Sequence, residues 1–238
     1  MRLMIKAVLF DIDDTIYEFL PVHKKALKTA HEVYLVYEEI SESEFEKQFQ
    51  QSWDIVKSSL KGTASGSNRV LIFQNLVERR LKRFDSSIIL ELYNAYWNSF
   101  LDDITLFEGV LDLLEFLKNN NIKIGFITDL TAFVQMRKLS KFKLSGYIDA
   151  FVSSEECGNN KPHKIIFDRL LQKLGVSPET AIMVGDTASK DIAGAKRLNI
   201  RTIQLLKGIF AKKSDGEEKA DYYVANFSEI KSILEKLC

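Results

Sequence analysis

The sequence predicts an α/β protein: a doubly wound parallel sheet, with a four-helix bundle inserted after its first strand. Two observations carry this. From residue 106 onward, short continuous apolar runs alternate with helical patterns, as strands buried on both faces by crossover helices require. Between the first such run and residue 106, the pattern is helical throughout. The expected partition is 1–18 with 103–238 for the α/β domain, and 19–102 for the helical domain.

Taken in order, residues 5–10 form the first strand. His23 to Tyr37 then carries Ala26, Ala30, Val33 and Tyr37 at helical steps. Ser41-Glu42-Ser43-Glu44 fits a capping box, followed by Phe45, Phe49, Trp53, Val56 and Leu60 on one face. A loop over 61–68 separates this helix from a third with Val70, Phe73, Val77 and Leu81. Asp85 or Ser86 caps a fourth, carrying Ile89, Leu92 and Tyr96. In the α/β part, Val110 to Leu117 is helical and Ile122 to Ile127 a strand, with Thr131 placed to cap the next helix. Phe151-Val152 is a strand, Pro162 to Leu174 a helix, Ala181 to Val184 a strand and Ser189 to Leu198 a helix. Ile200 to Leu206 and Tyr222 to Ala225 are strands, and Asn226 caps a final helix with Ile230, Ile233, Leu234 and Leu237.

Composition narrows the function classes. The chain has 238 residues, 46% hydrophobic and 28% charged, and its formal net charge is zero, so neither nucleic acid nor an anionic membrane is the expected partner. No apolar stretch approaches the roughly 20 residues needed to span a bilayer. At the start, Lys6 and Asp11 interrupt the apolar run too early for a signal peptide. Cys157 and Cys238 make no disulfide framework, so a reducing cytoplasm is expected. His23, His31 and His163 have no metal-ligand spacing. The loop over 62–67 has two glycines but lacks the Lys-Ser/Thr of a P-loop. No feature specifies an oligomer.

Ligands of doubly wound sheets bind beyond the carboxyl ends of the strands. Asp11-Ile12-Asp13-Asp14-Thr15 comes after the first strand, Thr128-Asp129 after the second and Gly185-Asp186-Thr187 after the fourth, with Asp191 further on. Lys161-Pro162 comes after the third. Carboxylates crowded at buried strand ends repel one another unless a cation joins them. An all-oxygen donor set of this kind suits Mg²⁺.

These residues resemble the haloacid dehalogenase-like (HAD) superfamily of hydrolases, through four ordered motifs that cover the whole chain. Asp11-Ile12-Asp13-Asp14-Thr15 is similar to the first, Thr128 to the second, Lys161 before Pro162 to the third, and Gly185-Asp186 through Asp191 to the fourth. The helical insertion resembles the all-helical cap of one branch. The resemblance implies that Asp11 attacks phosphorus to form an aspartyl-phosphate. It makes Asp13 the acid that protonates the leaving alcohol and then the base that activates water. Thr128, Lys161 and the backbone N–H of Asp129 hold phosphoryl oxygens. A carboxylate oxygen of Asp11, the backbone carbonyl of Asp13 and the side chain of Asp186 hold Mg²⁺, supported by Asp191. The chain departs from many relatives at Asp129, where they carry Asn.

The implied function is a Mg²⁺-dependent phosphatase acting on a small phosphorylated metabolite. The chemistry is coherent, because phosphoryl transfer needs in-line positioning and neutralised oxygens, and a covalent intermediate splits it into two displacements. Dehalogenases and phosphonate hydrolases of the superfamily lack an acid at the position of Asp13. A sugar phosphomutase shares it and stands as the alternative. From another class, a phosphate-binding or regulatory protein without turnover would keep the motifs, while a receiver module would have no helical insertion. In capped members the cap reads the leaving group. Candidate readers are Arg69 and Lys61, with Thr63 and Asn68 nearby and Tyr17 and Phe19 beside the nucleophile.

Overall fold

A computed structural model describes residues 4–207, 212–216 and 219–237. Strands Ala7–Phe10 (β1), Lys123–Thr128 (β2), Ala150–Ser153 (β3), Ala181–Gly185 (β4), Arg201–Leu205 (β5) and Tyr222–Val224 (β6) form one parallel sheet in the order β3-β2-β1-β4-β5-β6. All four residues of β1 and all five of β4 are buried, which is why they read as unbroken apolar runs. Register decides which residues leave the sheet together. Phe10 lies opposite Phe126 and Val184, so Asp11, Thr128 and Asp186 emerge at the same end of three adjacent strands.

Helices lie in the crossovers, Val110–Asn119 (α5), Ala132–Lys141 (α6), Ser154–Cys157 (α7), Lys164–Leu174 (α8) and Ala193–Lys196 (α9), and Phe227–Leu237 (α10) follows β6. α8 buries Ile166, Phe167, Leu170, Leu171 and Leu174, an i, i+4 stripe that packs on Leu9, Ile127, Val152 and Met183 of the sheet. Each large side chain buried this way is worth about 1.5–3 kcal/mol. Among the described residues, no helix is long and apolar enough to cross a membrane.

The backbone divides into two compact units, Met1–Phe19 with Thr105–Cys238, and Leu20–Ile104. The seams thus fall slightly beyond those expected at 18/19 and 102/103. The helices of the insertion are Phe19–Tyr34 (α1), Glu42–Ser59 (α2), Arg69–Leu81 (α3) and Ser86–Asp103 (α4). Three are capped by side chains. Ser41 Oγ accepts from Glu44 N at 3.3 Å, Asn68 Oδ1 from Val70 N at 2.9 Å, and Asp85 Oδ1 from Ser87 N at 3.1 Å. Phe45, Phe49, Phe73, Tyr96, Trp97 and Phe100 are buried within the unit.

Three expectations need correction. The helix expected from Pro162 begins at Lys164, because His163 caps it: the Nδ1 of His163 accepts from Ile165 N at 3.3 Å. The Lys161–Pro162 peptide before it is cis. The single helix expected over Ser189–Leu198 is a π turn, Ala188–Ile192, followed by the short α9. Thr131 stands at the N-cap of α6 without a side-chain bond. Asn226 does cap α10, its Oδ1 accepting from Glu229 N at 3.0 Å. Cys157 is a half-buried free thiol, while Cys238 and residues 1–3 lie outside the described residues.

Candidate active site

Three loops and one turn bring the motif side chains together at the carboxyl end of β1, β2 and β4. Carboxylate oxygens of Asp11, Asp186 and Asp191 all lie within 4.8 Å of one another, and all three residues are buried. Lys161 reaches into this group. Its Nζ donates to Asp11 Oδ1 and to Asp191 Oδ1, each at 2.6 Å, and to the carbonyl of Ile127 at 3.4 Å. Asp191 can approach because β4 ends in glycine: a Cβ on Gly185 would sit 2.5 Å from the Asp191 carboxyl. The π turn carries Asp191 back over the strand end, where Thr187 N donates to its Oδ2 at 3.0 Å.

Among the described residues, no lysine is hydrogen-bonded to Asp186, though Lys161 acts on it through space. Thr15 and Thr187 donate hydroxyls to it at 3.3 and 3.2 Å. Burial, reinforced by Asp191 and Asp14, pushes its carboxyl from 3.8 up to about 7. Burial also pushes Asp11 well above the carboxylate range; Lys161 opposes this, while Asp191, Asp186 and Asp13 add to it. Lys161 is disfavoured as a cation by burial, but Asp11, Asp191 and Asp129 outweigh that and hold it charged.

The other acidic residues nearby already have partners. Asp129 takes the backbone N–H of Lys161 at 2.9 Å on Oδ1 and the Lys190 ammonium at 2.9 Å on Oδ2. Asp13 is paired with Lys138 at 2.5 Å. Asp14, in a left-handed conformation at φ 57°, caps the start of α1 by accepting from Phe19 N at 2.9 Å. In the Asp11–Asp186–Asp191 group, by contrast, three carboxylates face Lys161, a deficit of two positive charges when all are ionised. That deficit and the all-oxygen donors fit a hard divalent cation.

Thr128 stands beside this group at the end of the neighbouring strand. It is buried at the end of β2, and its hydroxyl donates to the Asp129 carbonyl at 3.1 Å. Gln135 and Lys138, on α6, were not foreseen. Gln135 Nε2 lies 2.8 Å from Asp13 Oδ2, 2.9 Å from Thr128 Oγ1 and 2.9 Å from the Asp129 carbonyl. The sequence does hold a signal for both. Val134, Gln135, Lys138 and Leu139 form the buried stripe of α6, and polar residues at two of four such positions call for partners.

The two candidate readers of the leaving group belong to the helical unit. Arg69 is 3% exposed, enclosed by the aromatic side chains of the helical unit, with its guanidinium carbon 4.2 Å from the Trp53 ring centre. Lys61 is exposed in the turn after α2. Thr63 and Asn68 make local bonds, to the Leu60 carbonyl and from Val70 N. Tyr17 is fully buried, and its hydroxyl donates to Asp13.

Residues 8–205 match a family described as haloacid dehalogenase-like hydrolase. Ribulose-1,5-bisphosphate 5-phosphatase of Halopiger xanaduensis is 32% identical over 222 residues, covering 92% of this chain and 90% of its own. Glyceraldehyde 3-phosphate phosphatase of Methanocaldococcus jannaschii is 31% identical over 238 residues, covering 98% of this chain and 99% of its own. In fold, the chain is similar to the crystal structure of a 2-haloacid dehalogenase from Pseudomonas syringae, with a TM-score of 0.76 at 24% identity over 99% of this chain and 100% of that one. A match that spans most of the sequence, with relatives aligned over nearly their full lengths, makes this chain a member of the haloacid dehalogenase-like hydrolases.

Proposed function

We propose that this hydrolase is a Mg²⁺-dependent phosphatase that cleaves a small phosphorylated sugar or similar metabolite through an aspartyl-phosphate on Asp11. The observation that carries the reading is the charge deficit of the Asp11–Asp186–Asp191 group, which a divalent cation completes. Two relatives named as phosphatases of small sugar phosphates support the substrate class. Asp11, Asp186 and the backbone carbonyl of Asp13 would hold the metal, with Asp191 bracing them through Lys161. When bound, Mg²⁺ would neutralise charge on the phosphoryl oxygens.

The protein groups then divide the work. Lys161 and the Thr128 hydroxyl bind phosphoryl oxygens, together with the backbone N–H of Asp129. Asp11 attacks phosphorus: an Oδ–P bond forms as the P–O bond to the alcohol breaks. Asp13 delivers the proton that the leaving alkoxide needs. It later takes a proton from the water that attacks phosphorus, releasing phosphate and restoring Asp11. Burial raises Asp13, but Lys138, Tyr17 and Gln135 outweigh it and hold the carboxyl below its ordinary range. A bound phosphate dianion would oppose them by like-charge repulsion, favouring uptake of the proton to be donated.

Lys61 is retained as the candidate reader of the leaving group. Arg69 is assigned to holding the helical unit together. A cytoplasmic location follows from the reducing compartment suited to the free Cys157 and to such substrates. Screening phosphorylated metabolites for release of inorganic phosphate, with Mg²⁺ and with EDTA, tests the whole reading. Full activity in EDTA, or isomerised sugar phosphate in place of free phosphate, would overturn it.

A further inference from the structure

Asp13 is gripped from three sides by side chains that no motif accounts for. Its Oδ1 receives the Lys138 ammonium at 2.5 Å and the Tyr17 hydroxyl. Its Oδ2 receives Gln135 Nε2 at 2.8 Å. The amide orientation of Gln135 is set by its surroundings. Turned over, its oxygen would face the Asp13 carboxylate and the Asp129 carbonyl, both acceptors.

The three donors are themselves held. Tyr17 is fully buried and tied by backbone bridges to Asp13 and Leu106. Its ring lies 5.6 Å from the Lys138 ammonium and 5.7 Å from the Phe142 ring. Gln135, Lys138 and Phe142 stand at i, i+3 and i+7, so one stripe of α6 and its C-cap is turned toward Asp13 and Tyr17. Lys138 has no exposed surface.

A wholly buried lysine is hard to explain as a stabilising device. Ion pairs out of water roughly break even at best, and hydrophobic replacements of similar size are often neutral or stabilising. Methionine, unbranched and of similar length, would fill the same space between Val134 and Leu139. What an ammonium adds is direction: it holds one carboxylate oxygen in place while Gln135 holds the other. A free Asp side chain turns about two bonds, and the third contact, from Tyr17, leaves no rotation that keeps all the bonds.

We propose that Lys138, with Tyr17 and Gln135, is a positioning residue that fixes the orientation of the Asp13 carboxylate for proton transfer to the leaving group. This rests on the phosphatase reading. The contacts described for Lys138 reach Asp13 and the Tyr17 ring. Loss of Lys138 should therefore spare substrate binding and strike the step that Asp13 serves. Misplacing a catalytic group by about 1 Å costs on the order of 100-fold.

The experiment compares wild type, Lys138→Met, Lys138→Arg and Tyr17→Phe on glyceraldehyde 3-phosphate and on p-nitrophenyl phosphate, with Mg²⁺ present. The aryl ester leaves with little need for a proton, and kcat/KM reports formation of the phosphoenzyme for both. Lys138→Met should lower kcat/KM for the alkyl ester by about 10–100-fold, mostly in kcat, with KM within about twofold. The loss on the aryl ester should be at least about tenfold smaller. Lys138→Arg should recover part of the loss, since it restores a cationic donor. Tyr17→Phe removes a single hydroxyl and carries the test should Lys138→Met melt early. It should show the same alkyl-over-aryl pattern at about 3–10-fold, the worth of one hydrogen bond. Wild-type turnover with folded Lys138→Met and Tyr17→Phe unchanged overturns this inference alone. So do equal losses on the two esters with Arg no better than Met. A wild type that hydrolyses neither ester overturns the phosphatase reading and this inference together.

Discussion

Two buried cations in this protein are solvated in opposite ways. Lys161, in the α/β unit, has carboxylates on two sides, each 2.6 Å away, with a third carboxylate in the same cluster. Arg69, in the helical unit, has no carboxylate within ion-pair distance among the described residues. Its guanidinium lies 4.2 Å from the Trp53 ring centre, 5.3 Å from that of Tyr96 and 5.9 Å from that of Phe49. It donates to the Ser67 carbonyl at 2.8 Å and to Tyr96 Oη at 3.4 Å. Beside it, burial first and then Arg69 depress His23 to about 3, so that neighbour stays neutral. The first environment has more negative charge than its lysine can balance, which is the room that the proposed metal would fill. The second is closed: π faces and neutral dipoles satisfy a charge that then serves packing.

The sharpest way to break this contrast is to remove the proposed nucleophile. Asp11→Asn should abolish phosphate release, by about 10⁴-fold or more, on every substrate. Its fold should persist, because Asn keeps the shape and the Lys161 contact. Residual turnover above the background of a mock purification would show that Asp11 is not the attacking group.

Arg69→Ala should act in the other currency. Truncating a buried, ring-stacked side chain of this size should cost about 3–5 kcal/mol. Denaturant unfolding followed by Trp53 and Trp97 fluorescence measures it. Among molecules still folded, turnover of p-nitrophenyl phosphate should hold. If stability is unchanged and KM for a larger substrate rises instead, Arg69 is a substrate reader and the closed picture of its aromatic box fails.

Metal removal comes next in size. Mg²⁺ at about 100 times its dissociation constant should add roughly 2.7 kcal/mol, a rise in Tm of roughly 5–10 °C for a chain of this length. The increment should depend on pH. The Asp186 carboxyl is raised in the fold from 3.8 to about 7, so the metal-free protein holds that proton more tightly than the unfolded chain does. This contribution to stability is present in acid and is lost as pH rises through about 7. Mg²⁺ takes the place of the proton, so its effect on Tm should grow from pH 5 to pH 8. An increment that shrinks over that range would contradict the charge deficit.

The smallest effect concerns Asp129 and Lys190. Lys190→Gln alone leaves the Asp129 charge beside the proposed phosphate site and should weaken phosphate binding by about 3–10-fold; adding Asp129→Asn should restore most of it. A coupling below about 0.5 kcal/mol in this double-mutant cycle would mean the pair is only a surface contact.

Much of this contrast was legible in the sequence, because strand ends are local. An apolar run followed by Asp-x-Asp, or by Gly-Asp, declares both the strand and what it presents. The caps at Ser41, Asn226 and Asp85 were readable for the same reason. The partners of those aspartates were not. Lys138 is far from Asp13 in sequence and meets it only because α6 follows a strand paired with β1. Lys190 finds Asp129 across the sheet end in the same way. The π turn escaped because Ser189 to Leu198 has an ordinary helical pattern, and the widening answers to Asp191 and Gly185 rather than to propensity. The burial of Arg69 was not legible either, because its position at the start of α3 suggested an accessible loop end, while the surrounding aromatics come from α2 and α4.

The Gln135 amide has one further consequence. It owns two hydrogens, yet three acceptors stand within 2.9 Å of its nitrogen: Asp13, Thr128 and Asp129. Two protons cannot fully serve three oxygens, so at any moment one bond is shared or weak. A phosphoryl oxygen that accepts from the Thr128 hydroxyl draws that hydroxyl off the Asp129 carbonyl, which then competes harder for the amide. What Asp13 feels from Gln135 therefore changes when the neighbouring site fills. On the proposed mechanism, a single side chain would make the proton carrier sensitive to occupancy, without any movement of the backbone.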